Sequence, residues 1–347
     1  MKQKLFIFLG LTLLAGSLQA QSPVLVEDEL AVVYYMPKTQ VAITVEYDQV
    51  QVAPGPFYQY AQRYLNTDNV VLEAQTYYEL TNMHIHTQAV ADHERAYKVH
   101  AQRDVEAQLL TLTAEGLLYG YNVGPATIVP QVNEDKTMAK PMEEVLMPLL
   151  EEQMIASSIA KMAEGAARQI YHIREMRLNI LTGDVEHVPA DGQSMQLVLN
   201  ELNQREQALT ELFVGRKQVT HLTKTLYYTP SDAPHPTMIA RFSKFGGIVD
   251  AEDLSGEPIQ MTVTATKQSL HSNHAVEDKK ALQPSEIYYN LPGQAAISIR
   301  YKDITKTISC PVAQYGVAIP LAKDLFVKHK PTIYFNTQTG NITSIQK

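Results

Sequence analysis

Apolar residues recur at steps of three and four through the middle of the chain. Ile155, Ile159, Met162, Ala166, Ile170, Ile173 and Ile180 mark one face of a helix, and Arg177 interrupts the stripe. After Pro189 the same spacing returns in Met195, Val198, Leu199, Leu202, Leu209, Leu212 and Phe213, with Glu206 as the polar intruder. The pattern predicts two antiparallel helices between Glu151 and Gly215. Gly183 and Gly215 close the two runs, where a residue at positive φ is favoured. Asp191 or Ser194 supplies an oxygen to cap the second helix.

On either side of this hairpin the period is two. Ala31 to Tyr35 predicts a strand, and Val41, Ile43, Val45 and Tyr47 alternate with polar positions in a second, half-buried one. Pro54-Gly55-Pro56 then breaks the chain before a short helix from Phe57 to Leu65. Val70–Ala74, Thr76–Thr87 and Ala96–His100 continue as strands, and Leu109–Thr113 with Leu117–Tyr121 forms a hairpin turning at Gly116. Beyond Gly215 come strands at Val219–Tyr228, Thr237–Phe242, Ile259–Lys267, Ile287–Asn290, Ala296–Tyr301, Ile304–Cys310 and Val317–Pro320, then a closing hairpin around Thr337–Gly340. The expected fold is α+β: two antiparallel β-rich regions flanking a central antiparallel helical hairpin. The expected divisions are a leader at 1–20, an N-terminal β-rich domain with one short helix at 21–135, the hairpin at 136–216 and a β-sandwich-like domain at 217–347. Tyr-Tyr pairs shortly before a proline occur three times, at Tyr34-Tyr35, Tyr227-Tyr228 and Tyr288-Tyr289. Duplication of a β unit and coincidence both account for them.

The first twenty residues change the picture of location. Lys2 and Lys4 precede an apolar run from Leu5 to Leu14, and Ser17-Leu18-Gln19-Ala20 offers a cleavage site. The run is shorter than the ~20 residues that span a bilayer, and no later stretch is apolar enough to be a membrane helix. A mature, exported protein is expected, in the periplasm, at the outer-membrane surface or outside the cell. Removing the leader leaves 27 basic against 37 acidic residues, with no basic cluster, which argues against nucleic acid as a partner. Cys310 is the single cysteine, so no intramolecular disulfide forms, and its place at the end of an apolar strand predicts a buried, inert thiol.

Candidate chemistry is sparse. His84 and His86 have the best metal-like spacing, since alternate strand residues share a face, but a site needs three or four ligands. Solvent-facing histidines are the expected reading. The acidic stretch from Asp250 to Glu257 does not follow the ligand order of a calcium loop and reads as a solvated turn. Arg168 and Glu206 fall at one level if the helices close around residues 183 to 191, which predicts an interhelical ion pair, with Glu164 to Arg168 as a local one. The sequence holds no Gly-x-Ser-x-Gly elbow, Walker loop, dinucleotide glycine cluster or His-Glu-x-x-His, and nothing in it calls for a cofactor.

Four stretches carry a resemblance: YYMPKT at Tyr34–Thr39, PGPFYQYAQRYL at Pro54–Leu65, the hairpin with IREMRLNILTGD and ADGQSM, and ELFVG at Glu211–Gly215. With them the chain resembles a family of exported Bacteroidetes proteins defined by domain of unknown function 4831. The resemblance implies export and brings no activity, ligand or catalytic residue. The expected function is that of a non-enzymatic protein that binds or assembles with an envelope protein or a glycan. A hydrolase acting on glycans or peptides, or a sugar-binding module, are the alternatives.

Overall fold

The computed structural model describes residues 31–100, 109–124, 135, 148–149, 158–184, 191–231, 236–267, 286–322 and 331–346. The leader, the lead-in to the first strand, most of the connection from 125 to 157 and the turn between the long helices lie outside the described residues.

The chain opens with β1 (Ala31–Ala53), a 3-10 turn (Tyr58–Tyr60) running into α1 (Ala61–Leu65), β2 (Gln75–His100), β3 (Leu110–Leu112) and β4 (Leu118–Tyr121). The hairpin follows as α2 (Ile159–Thr182) and α3 (Gly192–Val214). Then come β5 (Arg216–Tyr228), β6 (Thr237–Ser243), β7 (Gly247–Val249) and β8 (Glu257–Lys267). β9 (Tyr288–Tyr301), β10 (Ile304–Pro320), β11 (Thr332–Phe335) and β12 (Ile342–Gln346) complete it. The fold is α+β as expected, with three antiparallel sheets in the orders β2-β1-β5, β10-β9-β8-β6-β7 and β12-β11-β4-β3.

Two β cores lie along the same strands. Val41, Ile43, Val45 and Tyr47 of β1 share the first with Ile259, Met261 and Val263 of β8 and Ile297 and Ile299 of β9. Val32, Tyr34 and Met36, earlier in the same strand, share the second with Leu110, Leu118, Tyr121, Ile333 and Phe335. Each such side chain, fully buried, contributes ~1.5–3 kcal/mol. β9 enters the second core at Tyr288 and the first at Ala295, while β10 runs the other way, from Cys310 and Val312 to Ala318.

The sequence predicts more and shorter strands because each long strand carries polar or proline residues where it passes between the cores. Pro37, Asn290 and Gly340 meet at that level, where the Asn290 N–H donates to the Gly340 carbonyl and the Ala313 N–H to the Thr39 hydroxyl. The β1–β2 ladder slips between Tyr35 and Met36, and the β9–β10 ladder slips between Val312 and Val317. Pro37 sits where β5 no longer flanks β1, since that ladder runs only from Val41 to Ala53, so its missing N–H breaks no bond on that side. Gln314 replaces the absent neighbour. The Thr39 N–H donates to its Oε1 (2.8 Å), and its Nε2 donates to the Thr39 carbonyl (3.0 Å) and to the Pro230 carbonyl (3.1 Å). Fully buried Asn290 donates to the carbonyls of Ala313 (2.9 Å) and Thr339 (2.8 Å).

Strands far apart in sequence pair with one another. β5 pairs with β1 from Val41↔Tyr228 to Ala53↔Arg216, and β11 pairs with β4. β1 ends and β5 begins side by side, at Ala53↔Arg216. Val70–Ala74, expected as a strand, is irregular.

Candidate functional site

The hairpin is built as its sequence pattern asks. Asp191 caps α3, accepting from the Ser194 N–H (2.7 Å) and the Ser194 hydroxyl (2.6 Å), and these bonds hold its carboxyl below the usual range. Gly183 ends α2 in the left-handed region at φ 77° with open space around its Cα. Gly215 ends α3 at φ 91°, and a Cβ there would meet the Ala53 carbonyl at 2.6 Å and Val71 at 2.7 Å. The base of the hairpin is anchored in a third core where Ala163, Ala166, Ala167 and Ile170 of α2 and Leu209, Leu212 and Phe213 of α3 enclose Phe57 and Ala61. The Phe57 N–H donates to the Leu212 carbonyl (2.8 Å).

The expected Arg168–Glu206 pair does not form. Arg168 bonds Glu164 on its own helix (2.6 Å), and Glu206 takes Arg174 (2.6 Å) and Arg177 (2.6 Å) instead. The helices end and begin on either side of residues 183–191 as expected, yet Glu206 is level with Arg174 and Arg177, six and nine residues beyond Arg168 along α2. The polar intruders of the two stripes, Arg177 and Glu206, are thus each other's partner, and Arg177 also donates to Asn203 (2.8 Å). Burial alone raises the pKa of Glu206, but hydrogen bonds and charge from the two arginines outweigh it and hold the carboxyl below its ordinary value.

Beyond this clamp the hairpin loses its cover. Ala163, Ala167, Tyr171, Leu178 and Leu181 lie on one side of α2 at helical spacing. The alanines are buried, and the Tyr171 hydroxyl donates to the Tyr64 carbonyl at the end of α1 (2.7 Å). Leu178 and Leu181 are 60% and 65% exposed, and Leu197 on α3 is 71% exposed. Ile159, an expected stripe member, is likewise exposed.

His84 and His86 sit on the polar face of the β2-β1-β5 sheet, opposite Thr44 and Ala42. His84 Nε2 lies 3.5 Å from Glu46 Oε1 and within hydrogen-bond distance of Asn82 (3.0 Å). On the same face Nδ1 of His221 meets Asp48 (2.5 Å). Among the described residues no three His, Cys, Asp or Glu side chains gather as a metal would need. Cys310 is buried in the first core, and burial pushes its thiol pKa up.

A half-open cavity of about 650 Å³ lies at the end of the first core away from the second. Leu80, Phe242 and Tyr301 form its apolar floor; Tyr78, Glu79, Lys244, Glu257 and Lys302 stand around it. The acidic loop after Asp250 forms one wall. Arg241 pins it by donating to the carbonyls of Ala251 (2.8 Å) and Gly256 (2.9 Å), and Ser255 donates its N–H to Asp253 (2.9 Å). The sequence pattern marked only the acidic loop of this cavity; its other residues come from β2, β6 and the turn after it, β8, and β9 with the turn into β10.

The family model described as Domain of unknown function (DUF4831) matches residues 30–343. No curated protein and no solved structure matches the chain.

Proposed function

We propose that this chain, which belongs to the DUF4831 family, is an exported, non-enzymatic binding or assembly protein of the bacterial cell envelope, engaging a partner protein through the free half of the α2–α3 hairpin. The observation that carries the reading is the apolar line of α2 outrunning its cover: Ala163 and Ala167 are buried, Tyr171 is half-exposed, and Leu178 and Leu181 continue the line into solvent. Exposed apolar side chains at helical spacing fit the face that a helix lays into an apolar groove. The Arg174–Glu206–Arg177 clamp joins the two helices just before the exposed leucines, so the arm is held in shape before it meets anything. Export is supported by the basic start and short apolar run before Ala20.

The experiment places a photo-crosslinking residue at Leu178 or Leu197 in the exporting bacterium. One defined envelope protein is expected in the adduct, attached to a chain whose first residue is Gln21. Leu181→Ser is expected to abolish the adduct without lowering Tm. No adduct from either position, or one that Leu181→Ser leaves unchanged, overturns the reading.

A further inference from the structure

The cavity at the end of the first core supports an inference independent of the helical arm. We infer that it is a binding site for a saccharide bearing a carboxylate, of the uronic acid type. Its volume of about 650 Å³ suits one or a few sugar rings. The ligand class follows from which lining groups lack partners. Lys244 lies over the rings of Tyr77 (5.4 Å) and Phe245 (5.9 Å), and Lys302 over Tyr301 (5.5 Å). These rings align the two side chains, yet among the described residues neither ammonium meets a carboxylate, in a chain richer in acids than bases. Arg241 is held to the loop through Nε and Nη1, so the loop fixes where its guanidinium stands.

Glu257 also lines the cavity, its side chain without an ion-pair or hydrogen-bond partner among the described residues. A simple anion would leave it facing a like charge, whereas a polyhydroxylated acid gives it a hydroxyl to accept from and gives the lysines a carboxylate. The Tyr78 hydroxyl accepts from Gln49 Nε2 (2.8 Å), so its own proton is left to donate to a ligand oxygen. Phe242, Tyr301 and Leu80 offer the apolar floor on which the C–H face of a sugar ring rests.

The test is calorimetric titration of the whole mature chain with trigalacturonate, with maltotriose as the neutral trisaccharide and with sodium sulfate as a plain anion. Binding of trigalacturonate alone is expected, weakening as salt rises. Replacing both lysines, Lys244→Gln with Lys302→Gln, is expected to weaken it about tenfold or more, because each lost charge-assisted bond is worth that order. Glu257→Gln should weaken it several-fold, and Leu181→Ser on the arm should leave it unchanged. All these positions but the arm's are at the cavity rim, and Tm is expected to hold. Equal binding of maltotriose or sulfate, no binding of trigalacturonate, or full binding by the lysine variant at unchanged Tm overturns the assignment.

Discussion

At the scale of single residues, the most consequential side chains are amides that stand in for backbone. Gln314 gives Thr39 the two bonds that a neighbouring strand would have given it. Gln314→Ala is expected to destabilise the fold by ~1–3 kcal/mol, since buried backbone groups lose their partner, and to speed amide exchange at Thr39. Asn290→Ala strands the Ala313 and Thr339 carbonyls together and should cost at least as much, ~2–4 kcal/mol in urea unfolding. Glu206 sets a pH dependence whose sign follows from its lowered pKa. A carboxyl that binds its proton less readily in the folded state adds stability at neutral pH and forfeits it as pH falls through the ordinary glutamate range and below. The stability difference between the wild type and Glu206→Gln should therefore be of order 1 kcal/mol at pH 7, since both arginines are partly exposed, and should vanish in acid. Cys310, buried with a raised thiol pKa, should react with a disulfide reagent only after unfolding.

At the scale of elements, the two helix-ending glycines separate conformation from space. Gly183→Ala costs the left-handed penalty alone, roughly 1–2 kcal/mol, because nothing lies within reach of its Cβ. Gly215→Ala adds a collision with the Ala53 carbonyl and Val71, and thermal melts should show clearly the larger loss. The two helices, their closing glycines and a cap at Asp191 or Ser194 were legible in sequence because each is a local matter of spacing and φ; the structure chooses Asp191. The partner of Glu206 was not legible, because the register between two helices is set by how their faces pack and not by the spacing within either one. The strands were legible by period but not by length. Pro37, Pro292 and Pro311 look like breaks, yet each lies within a strand that carries on. The repeated Tyr-Tyr before proline finds a common context there: Tyr34 binds the Tyr288 backbone through its hydroxyl, and the Pro230 carbonyl accepts from Gln314. The cavity was not legible beyond its acidic loop, since its remaining residues are ordinary ones brought together from separate strands and turns.

At the scale of the whole molecule, the chain presents a solid double-cored β body, an arm fixed at one end, and an opening at the end of the body. The arm's leucines are expected to matter to association and the cavity's lysines to ligand uptake, each without touching the other. The body has a different kind of dependence. β1, β2, β9 and β10 thread both hydrophobic clusters without a joint between them. Neither cluster can melt while its companion persists, because melting one would strip the other of its framework. Calorimetry should accordingly find one heat-absorption peak for the β structure, with a van't Hoff enthalpy matching the measured heat, in place of two successive events. Evolution of one end is thereby answerable to the other: a substitution beside Val32 alters how tightly Ile297 is held.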